Sequence, residues 1–299
     1  MVDLIVIGAG PAGITASVYA ARKRMELLVI SGDIGGQAAW SGDIENYTGY
    51  QFITGPELAA KFEEHLRRHK MTLRENEFVT SVKKTGECIT VVTDKGTYEA
   101  RAVIIASGKR SRELNVPGER KFKNRGLTYC ATCDGPLFAE KEVAVIGGGN
   151  SALDAALQLI KIAKLTYIIN ISSELTGDPV MREKVVTSDS AKVFNSTRVR
   201  EILGDKFVSG VKIVKDGIEE ILPVQGVFVE VGLLPNSEFI NELQLNELKE
   251  IKINPRNETN IPGIFAAGDV TDVPEKQIII AAGEGSKAAL SAFRYLAQR

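Results

Sequence analysis

The chain of 299 residues is poor in cysteine, histidine and tryptophan, with three, two and one of each. Three cysteines are too few for the disulfide framework of a small secreted protein, and they favour a reducing, cytoplasmic location. A structural zinc site normally needs four cysteine or histidine ligands. His65 and His69 lie among basic residues that indicate a solvated helix face. We therefore expect no metal site.

An excess of charge and a long apolar run are also missing. Lys and Arg total 37 against 38 for Asp and Glu, which gives a formal net charge of −1. This balance predicts no basic surface for nucleic acid or for an anionic membrane. No apolar run reaches the roughly 18 residues that a membrane span needs, and no basic export leader precedes the first apolar run. We expect neither nucleic acid nor a membrane as a partner.

The first forty residues contain a nucleotide-binding pattern. Residues 4–7 are wholly apolar, as in a strand that is covered on both faces, and the glycine turn that follows is Gly8-Ala9-Gly10-Pro11-Ala12-Gly13. Between a strand and an alanine-rich helix, these glycines permit a tight turn, close approach of a pyrophosphate and close helix packing. Residues 27–30 predict the next strand. We expect Ser31 to end it, so that no acidic residue is available for an adenosine ribose.

The same pattern occurs again after residue 142. The apolar run 143–146 precedes a turn whose candidate cofactor-binding residues are Gly147, Gly149, Asn150, Ser151 and Ala152. Two such turns in one chain predict FAD together with a nicotinamide cofactor. The stretch 170–177 begins with Asn170 and holds no Arg or Lys, which the 2′-phosphate of NADPH usually requires. NADH is therefore favoured over NADPH, although weak or absent nicotinamide binding stays an alternative because Asn170 is not acidic.

Loop residues in the first hundred positions complete the candidate cofactor site. Polar or glycine-rich loops at 35–37 and 45–49 are within reach of an extended cofactor, and a buried strand at 102–106 ends in another glycine; the candidates are Gly36, Gln37, Asn46 and Gly108. Residues 97–101 predict a separate strand. Thr54 and Glu57 have the spacing of a capping box. Cys88 lies in an apolar strand pattern and is interpreted as a core residue.

Between the two glycine turns lies the sequence Cys-Ala-Thr-Cys-Asp at 130–134. A Cys-x-x-Cys motif in a chain with strand-helix-strand patterning predicts a redox-active pair. Asp134 is placed to carry a proton to or from a thiolate. The candidate catalytic residues are Cys130, Cys133 and Asp134.

With these motifs the chain resembles the low-molecular-weight thioredoxin reductases, and especially the reductase portion of the alkyl hydroperoxide reductase flavoprotein. The resemblance covers essentially the whole chain and includes the segments 129–138, 231–236, 265–270 and 276–285. It implies an α/β fold of two Rossmann-like, three-layer nucleotide-binding domains. The second domain is inserted into the first, so that residues 1–114 and 245–299 bind FAD. Residues 115–244 then bind NAD(P)H and carry the cysteine pair.

The resemblance also implies roles for individual residues. Asp269 binds the ribityl side of FAD, Gln277 and Ile278 lie near the isoalloxazine, and Gly268 and Lys276 flank them. Cys133 faces the flavin, Cys130 attacks the disulfide of a partner, and Asp134 is the general acid. The enzyme is expected to be a homodimer whose inserted domain rotates between two electron-transfer states.

The substrate implied is a thioredoxin-like or glutaredoxin-like protein on a separate chain, because the extra N-terminal redox domain of the alkyl hydroperoxide reductase flavoprotein is not seen in this sequence. Three other functions remain open. One is reduction of a peroxiredoxin system, and another is an NADH oxidase that does not need the cysteines. The third is a thioredoxin reductase that takes electrons from ferredoxin or another flavin donor and has a degenerate nicotinamide site.

Overall fold

The structure is a computed structural model that describes residues 1–41 and 43–298, with every side chain in these ranges except those of Asp43 and Cys133. The strands are β1 Val2–Ala9, β2 Leu27–Ile34, β3 Asp43–Ile44, β4 Ile53–Thr54, β5 Thr72–Glu75, β6 Val79–Thr85, β7 Cys88–Thr93, β8 Thr97–Ile105, β9 Lys109–Ser111, β10 Leu127–Thr128, β11 Glu142–Ile146, β12 Leu165–Ile169, β13 Ala191–Phe194, β14 Thr197–Gly204, β15 Val208–Lys215, β16 Ile218–Leu222, β17 Gly226–Val229, β18 Leu233–Pro235 and β19 Ile264–Ala266. The helices are α1 Pro11–Arg22, α2 Gly55–Arg67, α3 Glu119–Phe122, α4 Ala131–Asp134, α5 Asn150–Ile160, α6 Pro179–Val186 and α7 Ile278–Ala297.

The chain forms two compact units. The first unit contains Met1–Arg110 and the chain from Leu234 onward, and the second unit is the single stretch Ser111–Leu233. The second unit is thus inserted into the first along the sequence, and the predicted α/β fold class is confirmed. The boundaries expected from the sequence, 114/115 and 244/245, both lie further along the chain.

The first unit is built on a seven-stranded sheet with the order β5-β2-β1-β8-β7-β6, in which β19 also pairs with β8. Strands β5, β2, β1, β8 and β19 are mutually parallel, whereas β6, β7 and the start of β8 form an antiparallel meander. Helices α1 and α7 cover one face through an alanine-rich core. The other face packs against apolar residues of the loops between β18 and β19.

Strand β8 corrects an expectation from the sequence. The pattern predicts one strand at 97–101 and another at 102–106, but a single strand of nine residues runs from Thr97 to Ile105. Its first half pairs antiparallel with β7 and its second half pairs parallel with β1 and β19. Thr97 and Glu99 of its first half are exposed, whereas residues 102–105 of its second half are buried, so the change in hydrophobicity reflects a change in surroundings rather than a break in the strand.

The second unit repeats the three layers with separate sheets. A parallel sheet has the order β10-β17-β11-β12-β13, and a three-stranded antiparallel sheet has the order β14-β15-β16. One face of the parallel sheet packs on α5 through a core that includes Leu153 and Leu159. The other face packs on the antiparallel sheet through Val211 and Ile213. The glycine turn before α5 therefore lies at the carboxyl end of β11, as the first turn lies at the end of β1.

Two local expectations concern α2 and β7. Thr54 accepts a hydrogen bond from the backbone N–H of Glu57, and the carboxylate of Glu57 accepts one from the backbone N–H of Thr54. The predicted capping box is confirmed. Cys88 begins β7 as a free, half-buried thiol, which is less buried than a core residue because it lies next to the hairpin turn. None of the helices in the described part of the chain is long and apolar enough to cross a membrane.

Candidate functional site

The first glycine turn joins β1 to α1 in the geometry that the sequence predicts. Gly8 has a φ of 101°, which an L-residue with a side chain rarely adopts. A Cβ on Gly13 would lie 1.9 Å from the carbonyl oxygen of Gly8, so this position also excludes a larger residue. Gly10 is the N-cap of α1 without a side-chain cap, and the nearest atom to a Cβ there would be 3.9 Å away. The helix N-terminus is thus open to an anionic ligand.

Ser31 is close to this turn but is not the end of its strand. Its Oγ accepts a hydrogen bond from the Ala9 N–H at 3.0 Å and donates one to the Asp33 carbonyl at 2.5 Å. The strand continues to Ile34, so the expectation that it ends at Ser31 without an acidic residue is wrong. The polar residues 31–33 break the apolar pattern, yet the strand still pairs with the end of β1 after a bulge.

Asp33 is the residue that the sequence analysis missed in this site. It lies 20 positions after Gly13, which is the spacing typical of an acidic ribose ligand in a dinucleotide fold. Asp33 lies one residue before the end of β2 and keeps part of its surface exposed, while neighbouring atoms cover part of its carboxyl. Desolvation raises the pKa of its carboxyl above the ordinary value, and the backbone N–H of Gly36 opposes this shift. If the second strand had been predicted to continue beyond Ser31, the spacing from Gly13 would have been enough to identify Asp33.

Several other candidate cofactor residues of the first unit contact one another. The side-chain amide of Gln37 donates to the Lys109 carbonyl at 2.8 Å, directly after Gly108. The amide of Asn46 donates to Gln277 at 3.1 Å. Residues that are up to 231 positions apart in sequence are therefore brought together. Gly36 lies against Gly10, with 3.2 Å between its potential Cβ and the Gly10 Cα.

The C-terminal motif meets the first glycine turn. A Cβ on Gly268 would lie 2.9 Å from the Cβ of Ala12, and a Cβ on Gly285 would lie 2.0 Å from the Ala12 carbonyl oxygen. Asp269 follows with a partly buried carboxyl, and no residue in the described ranges donates a hydrogen bond to it. Burial raises the pKa of this carboxyl, against the influence of Lys276 and Lys109. A partly buried acceptor without a donor fits a hydroxyl-bearing ligand.

In the second unit, Gly147 turns the chain after β11, and its potential Cβ would lie 2.1 Å from the carbonyl oxygen of Glu230. Gly149 is the N-cap of α5 and has no side-chain cap. The side-chain oxygen of Asn150 is not free to bind a ligand, because this Oδ1 accepts a hydrogen bond from the Asp178 N–H at 2.6 Å. Ala152 occupies the third small position and is fully buried.

Glu230 is a second residue that the sequence analysis missed. It follows β17 at the edge where the carboxyl ends of parallel strands meet, which is where ligands bind in such sheets. Its carboxylate accepts a hydrogen bond from the Ser151 hydroxyl. Desolvation raises the pKa of Glu230 to about 7; Ser151 lowers it, and Asp154 raises it further. A negative charge therefore develops beside the second glycine turn near neutral pH. The apolar run before Glu230 was the available sequence signal.

Asn170 is buried against the back of the second glycine turn. Its amide nitrogen donates to the carbonyls of Ser172 and Glu174 and to the side chain of Asn195, and its Oδ1 accepts the Ser172 N–H. A Cβ on Gly148 would lie 2.4 Å from this oxygen. The side chain thus organises the loop after β12, and its hydrogen-bonding capacity is used within the protein.

Cys130 precedes the single turn α4, and its sulfur is in a disulfide. The Cys130 N–H donates to Thr128 Oγ1 at 3.2 Å, and the Asp134 N–H donates to the Cys130 carbonyl at 3.3 Å. The Cys133 side chain, the predicted second sulfur, lies outside the described side chains. Thr132 Oγ1 donates to Gln158 Oε1 at 2.9 Å, and Gln158 Nε2 donates to Asp154 Oδ2 at 2.9 Å. Gln158 therefore ties the residue between the cysteines to α5.

This contact gives a testable expectation. Replacing Gln158 by leucine should lower the equilibrium constant for disulfide formation against glutathione by about fivefold, since one hydrogen bond contributes about 1 kcal/mol and holds the cysteine turn in place. Gln225→Leu is the matched control. Its side chain accepts the Glu142 N–H at 3.0 Å within the same unit but away from the cysteines. Equal shifts in both variants would contradict a specific role for Gln158.

In the described part of the chain, no group of three or more His, Cys, Asp or Glu residues is arranged to hold a metal ion. A disulfide-bonded Cys130 has no thiolate to offer such an ion. The chemistry that these residues support is therefore the exchange of electrons and protons at sulfur, in the same unit as the second dinucleotide-type turn.

Comparison with known proteins agrees with this geometry. The family model described as "Pyridine nucleotide-disulphide oxidoreductase" matches residues 2–285, and that family implies FAD and NAD(P)H. The F component of alkyl hydroperoxide reductase from Staphylococcus epidermidis is 39% identical over 298 residues, which cover 98% of this chain and 59% of the relative. The protein of the same name from Staphylococcus aureus has the same identity and coverage. The chain thus spans about three fifths of the length of these curated relatives.

Two solved structures are similar over nearly the whole chain. Thioredoxin reductase of Lactococcus lactis, in a form described as the FR conformation, has a TM-score of 0.93 at 35% identity and covers 100% of both chains. Thioredoxin reductase of T. acidophilum has a TM-score of 0.90 at 37% identity and covers 98% of both chains. The fold of this chain is therefore shared with these enzymes.

Proposed function

Because this chain belongs to the pyridine nucleotide-disulphide oxidoreductase family, we propose that it is a flavoprotein disulfide reductase of the thioredoxin reductase type. It carries electrons from NADH through FAD and the pair Cys130–Cys133 to the disulfide of a thioredoxin-like protein. The observation that carries the proposal is the disulfide at Cys130 in the same unit as the second glycine turn. We expect the active enzyme to be a homodimer.

The first unit has the features that FAD needs. The uncapped start of α1 at Gly10 would hold the pyrophosphate, and the Asp33 carboxylate would accept hydrogen bonds from hydroxyls of the adenosine ribose. Asp269, whose carboxyl receives no hydrogen bond from the described residues, would accept one from the ribityl chain. The remaining residues proposed to line the site are Gly8, Pro11, Ala12, Gly13, Ser31, Gly36, Gln37, Asn46, Gly108, Gly268, Lys276, Gln277 and Ile278. Bound FAD would supply the two-electron chemistry between a nicotinamide and a disulfide.

The second unit is proposed to bind the nicotinamide nucleotide, with Gly147, Gly149 and Ser151 at the pyrophosphate. The loop after β12 favours NADH. Arg182, the nearest cation, donates to the Leu175 carbonyl at 3.1 Å and lies 4.0 Å from the Glu174 carboxylate, so the loop itself engages it. The Glu174 side chain is 78% exposed and is available for a ribose 2′-hydroxyl. Asn170 contributes indirectly, because its hydrogen bonds fix the shape of this loop.

The cysteine pair performs the exchange with the partner. After reduction, the Cys130 thiolate attacks one sulfur of the partner's disulfide and forms a mixed disulfide, and the partner's other sulfur leaves as a thiolate. Asp134 gives that leaving sulfur its proton. The Cys133 thiolate then attacks Cys130 sulfur, which restores the internal disulfide and releases the reduced partner. Asp134 takes its proton from the Cys130 thiol when the thiolate forms, and the proton of the Cys133 thiol passes to the second partner sulfur as that sulfur leaves. Two electrons and two protons thus reach the partner in each cycle.

An anaerobic titration of the flavin-loaded protein with NADH and NADPH separately tests the proposal. We expect NADH to bleach the flavin absorbance at lower concentration than NADPH, and a thioredoxin or a peroxiredoxin added afterwards to restore it. A protein that takes up no flavin, or a bleached flavin that only oxygen re-oxidises, would remove the proposed function. Bleaching at lower concentrations of NADPH would overturn the assignment of NADH alone.

Glu230 predicts a pH dependence for nucleotide binding. Since desolvation raises its pKa to about 7, the carboxyl is neutral below that pH and ionised above it. The ionised form repels the phosphates of a nucleotide at the second turn. The affinity for NADH should therefore fall about threefold to tenfold between about pH 6 and about pH 8. Glu230→Gln should abolish this dependence and bind NADH more tightly at the higher pH, as measured by quenching of protein fluorescence. An unchanged pH profile in that variant would contradict the role.

A further inference from the structure

We propose that Lys109, Glu250 and Lys276 form a charged cluster that sets how readily the bound flavin accepts electrons. This inference rests on the proposed FAD site. Glu250 Oε1 lies 2.9 Å from Lys109 Nζ and 3.0 Å from Lys276 Nζ. Its other oxygen accepts a hydrogen bond from the Asn246 amide at 2.7 Å. The Glu250 side chain is 6% exposed and that of Lys109 is 13% exposed, so solvent screens the cluster only weakly.

The cluster is fixed to segments that carry candidate FAD residues. Lys109 directly follows Gly108, and its carbonyl holds the side chain of Gln37. Lys276 directly precedes Gln277, and its Nζ also donates to the Thr271 carbonyl at 2.5 Å. Glu250 comes from the loop between β18 and β19, and it is the group that joins the two lysines. Neither Lys109 nor Glu250 belongs to a glycine turn or to a nucleotide-binding motif.

The Glu250 carboxyl stays ionised over the working pH range. Burial alone would raise the pKa of Glu250, but Asn246 and the two lysines outweigh it and lower the pKa to about 2. Among these three side chains, two ammonium groups against one carboxylate leave one net positive charge. Asp269 is the other acid that interacts with this cluster, and its raised pKa reflects its burial. An ionised Asp269 would balance that charge, so the sign of each side chain's charge, and not their sum, decides its effect on a nearby flavin.

Each of these charges has a defined effect on a flavin. Two-electron reduction adds negative charge to the ring system, which a nearby positive charge stabilises, and protein charges tune flavin electronics in this way. Removing a lysine should therefore disfavour the reduced flavin, whereas removing the carboxylate should favour it. If the cluster only held the loop of Glu250 in place, removing a lysine and removing the carboxylate would not shift the flavin in opposite directions.

The experiment measures the ratio of reduced to oxidised flavin in the FAD-loaded protein at anaerobic equilibrium with a dye of known potential. We expect Glu250→Gln to raise the ratio and Lys109→Met to lower it, each by about fivefold to tenfold. Lys109→Arg, which keeps the charge, should retain the original ratio. Glu201→Gln and Lys212→Met alter an ion pair of 3.0 Å in the second unit and serve as matched controls without effect.

Two results would overturn the inference. One is a shift of the same sign in Glu250→Gln and Lys109→Met, and the other is no shift in either variant while flavin remains bound. If Glu250→Gln does not fold, the flavin ratios of Lys109→Met and Lys109→Arg still test the inference, because these two variants differ in the charge at position 109. A failure of the unmodified protein to bind FAD would instead remove the proposed function, so the two failures are distinguishable.

Discussion

Replacing Cys133 by serine is expected to abolish the reduction of protein disulfides while the flavin is still reduced by nicotinamide nucleotide. A serine hydroxyl does not form a disulfide, so the mixed disulfide at Cys130 has no internal thiol to resolve it. Turnover with a thioredoxin-like partner should therefore fall to the background rate, and a covalent complex with the partner should accumulate. Stopped-flow flavin absorbance measures the first half of the reaction, and non-reducing electrophoresis detects the complex.

The chain contains its own control for this experiment. Cys88 is a free, half-buried thiol at the start of β7, in the first unit. Cys88→Ala should leave both flavin reduction and disulfide turnover unchanged. If Cys133→Ser retained disulfide turnover, or if Cys88→Ala lost it, the electron path through Cys130 and Cys133 would be refuted.

Replacing Gly13 by alanine is expected to destabilise the first unit and to prevent FAD binding. The added Cβ would lie 1.9 Å from the Gly8 carbonyl oxygen and 2.8 Å from its carbon, so β1 and α1 would have to separate. Such overpacking against backbone should lower the free energy of unfolding by about 3 kcal/mol. Urea unfolding measures the stability, and the ratio of flavin to protein absorbance measures the loss of cofactor.

Gly283→Ala is the matched control within the same unit. Gly283 lies in helix α7, and a Cβ there would meet no atom within 4 Å. Because alanine favours a helix over glycine, this variant should be as stable as the original or up to about 1 kcal/mol more stable. A Gly13→Ala protein that bound FAD normally and unfolded at the original urea concentration would contradict the proposed role of the first turn.

The glycine turns show why part of the site was predictable from the sequence. Their residues are adjacent in the chain, and each glycine meets a local requirement, such as the positive φ of Gly8. The capping box of α2 is equally local. For these features the sequence contains both partners of the interaction within a few residues.

Asp33 and Glu230 show where sequence reasoning fell short. Both residues follow apolar runs at the carboxyl ends of parallel strands, but their importance depends on which strands become neighbours. The end of β2 was placed too early because residues 31–33 are polar, although a bulge lets the pairing continue. A hydrophobic pattern does not reveal such a bulge.

The ion pairs of Glu250 were also beyond the reach of sequence patterns. Lys109 and Lys276 are 141 and 26 positions from it, counted along the chain. Only the tertiary arrangement of the loop before β19, the start of β9 and the segment before α7 places the three charges together. Long-range polar contacts of this kind follow from tertiary structure, since no period or motif records them.

The saturated amide of Asn170 has a consequence for attempts to change which coenzyme the protein accepts. Substituting that asparagine would leave neighbouring carbonyls without donors and collapse the loop, so it is a poor starting point for redesign. Arginine grafted at Ser172 or Ser173, whose side chains face solvent, would add a phosphate anchor without dismantling the scaffold beneath. A change of coenzyme preference is therefore best attempted at the exposed residues of the loop, with the buried Asn170 left unchanged.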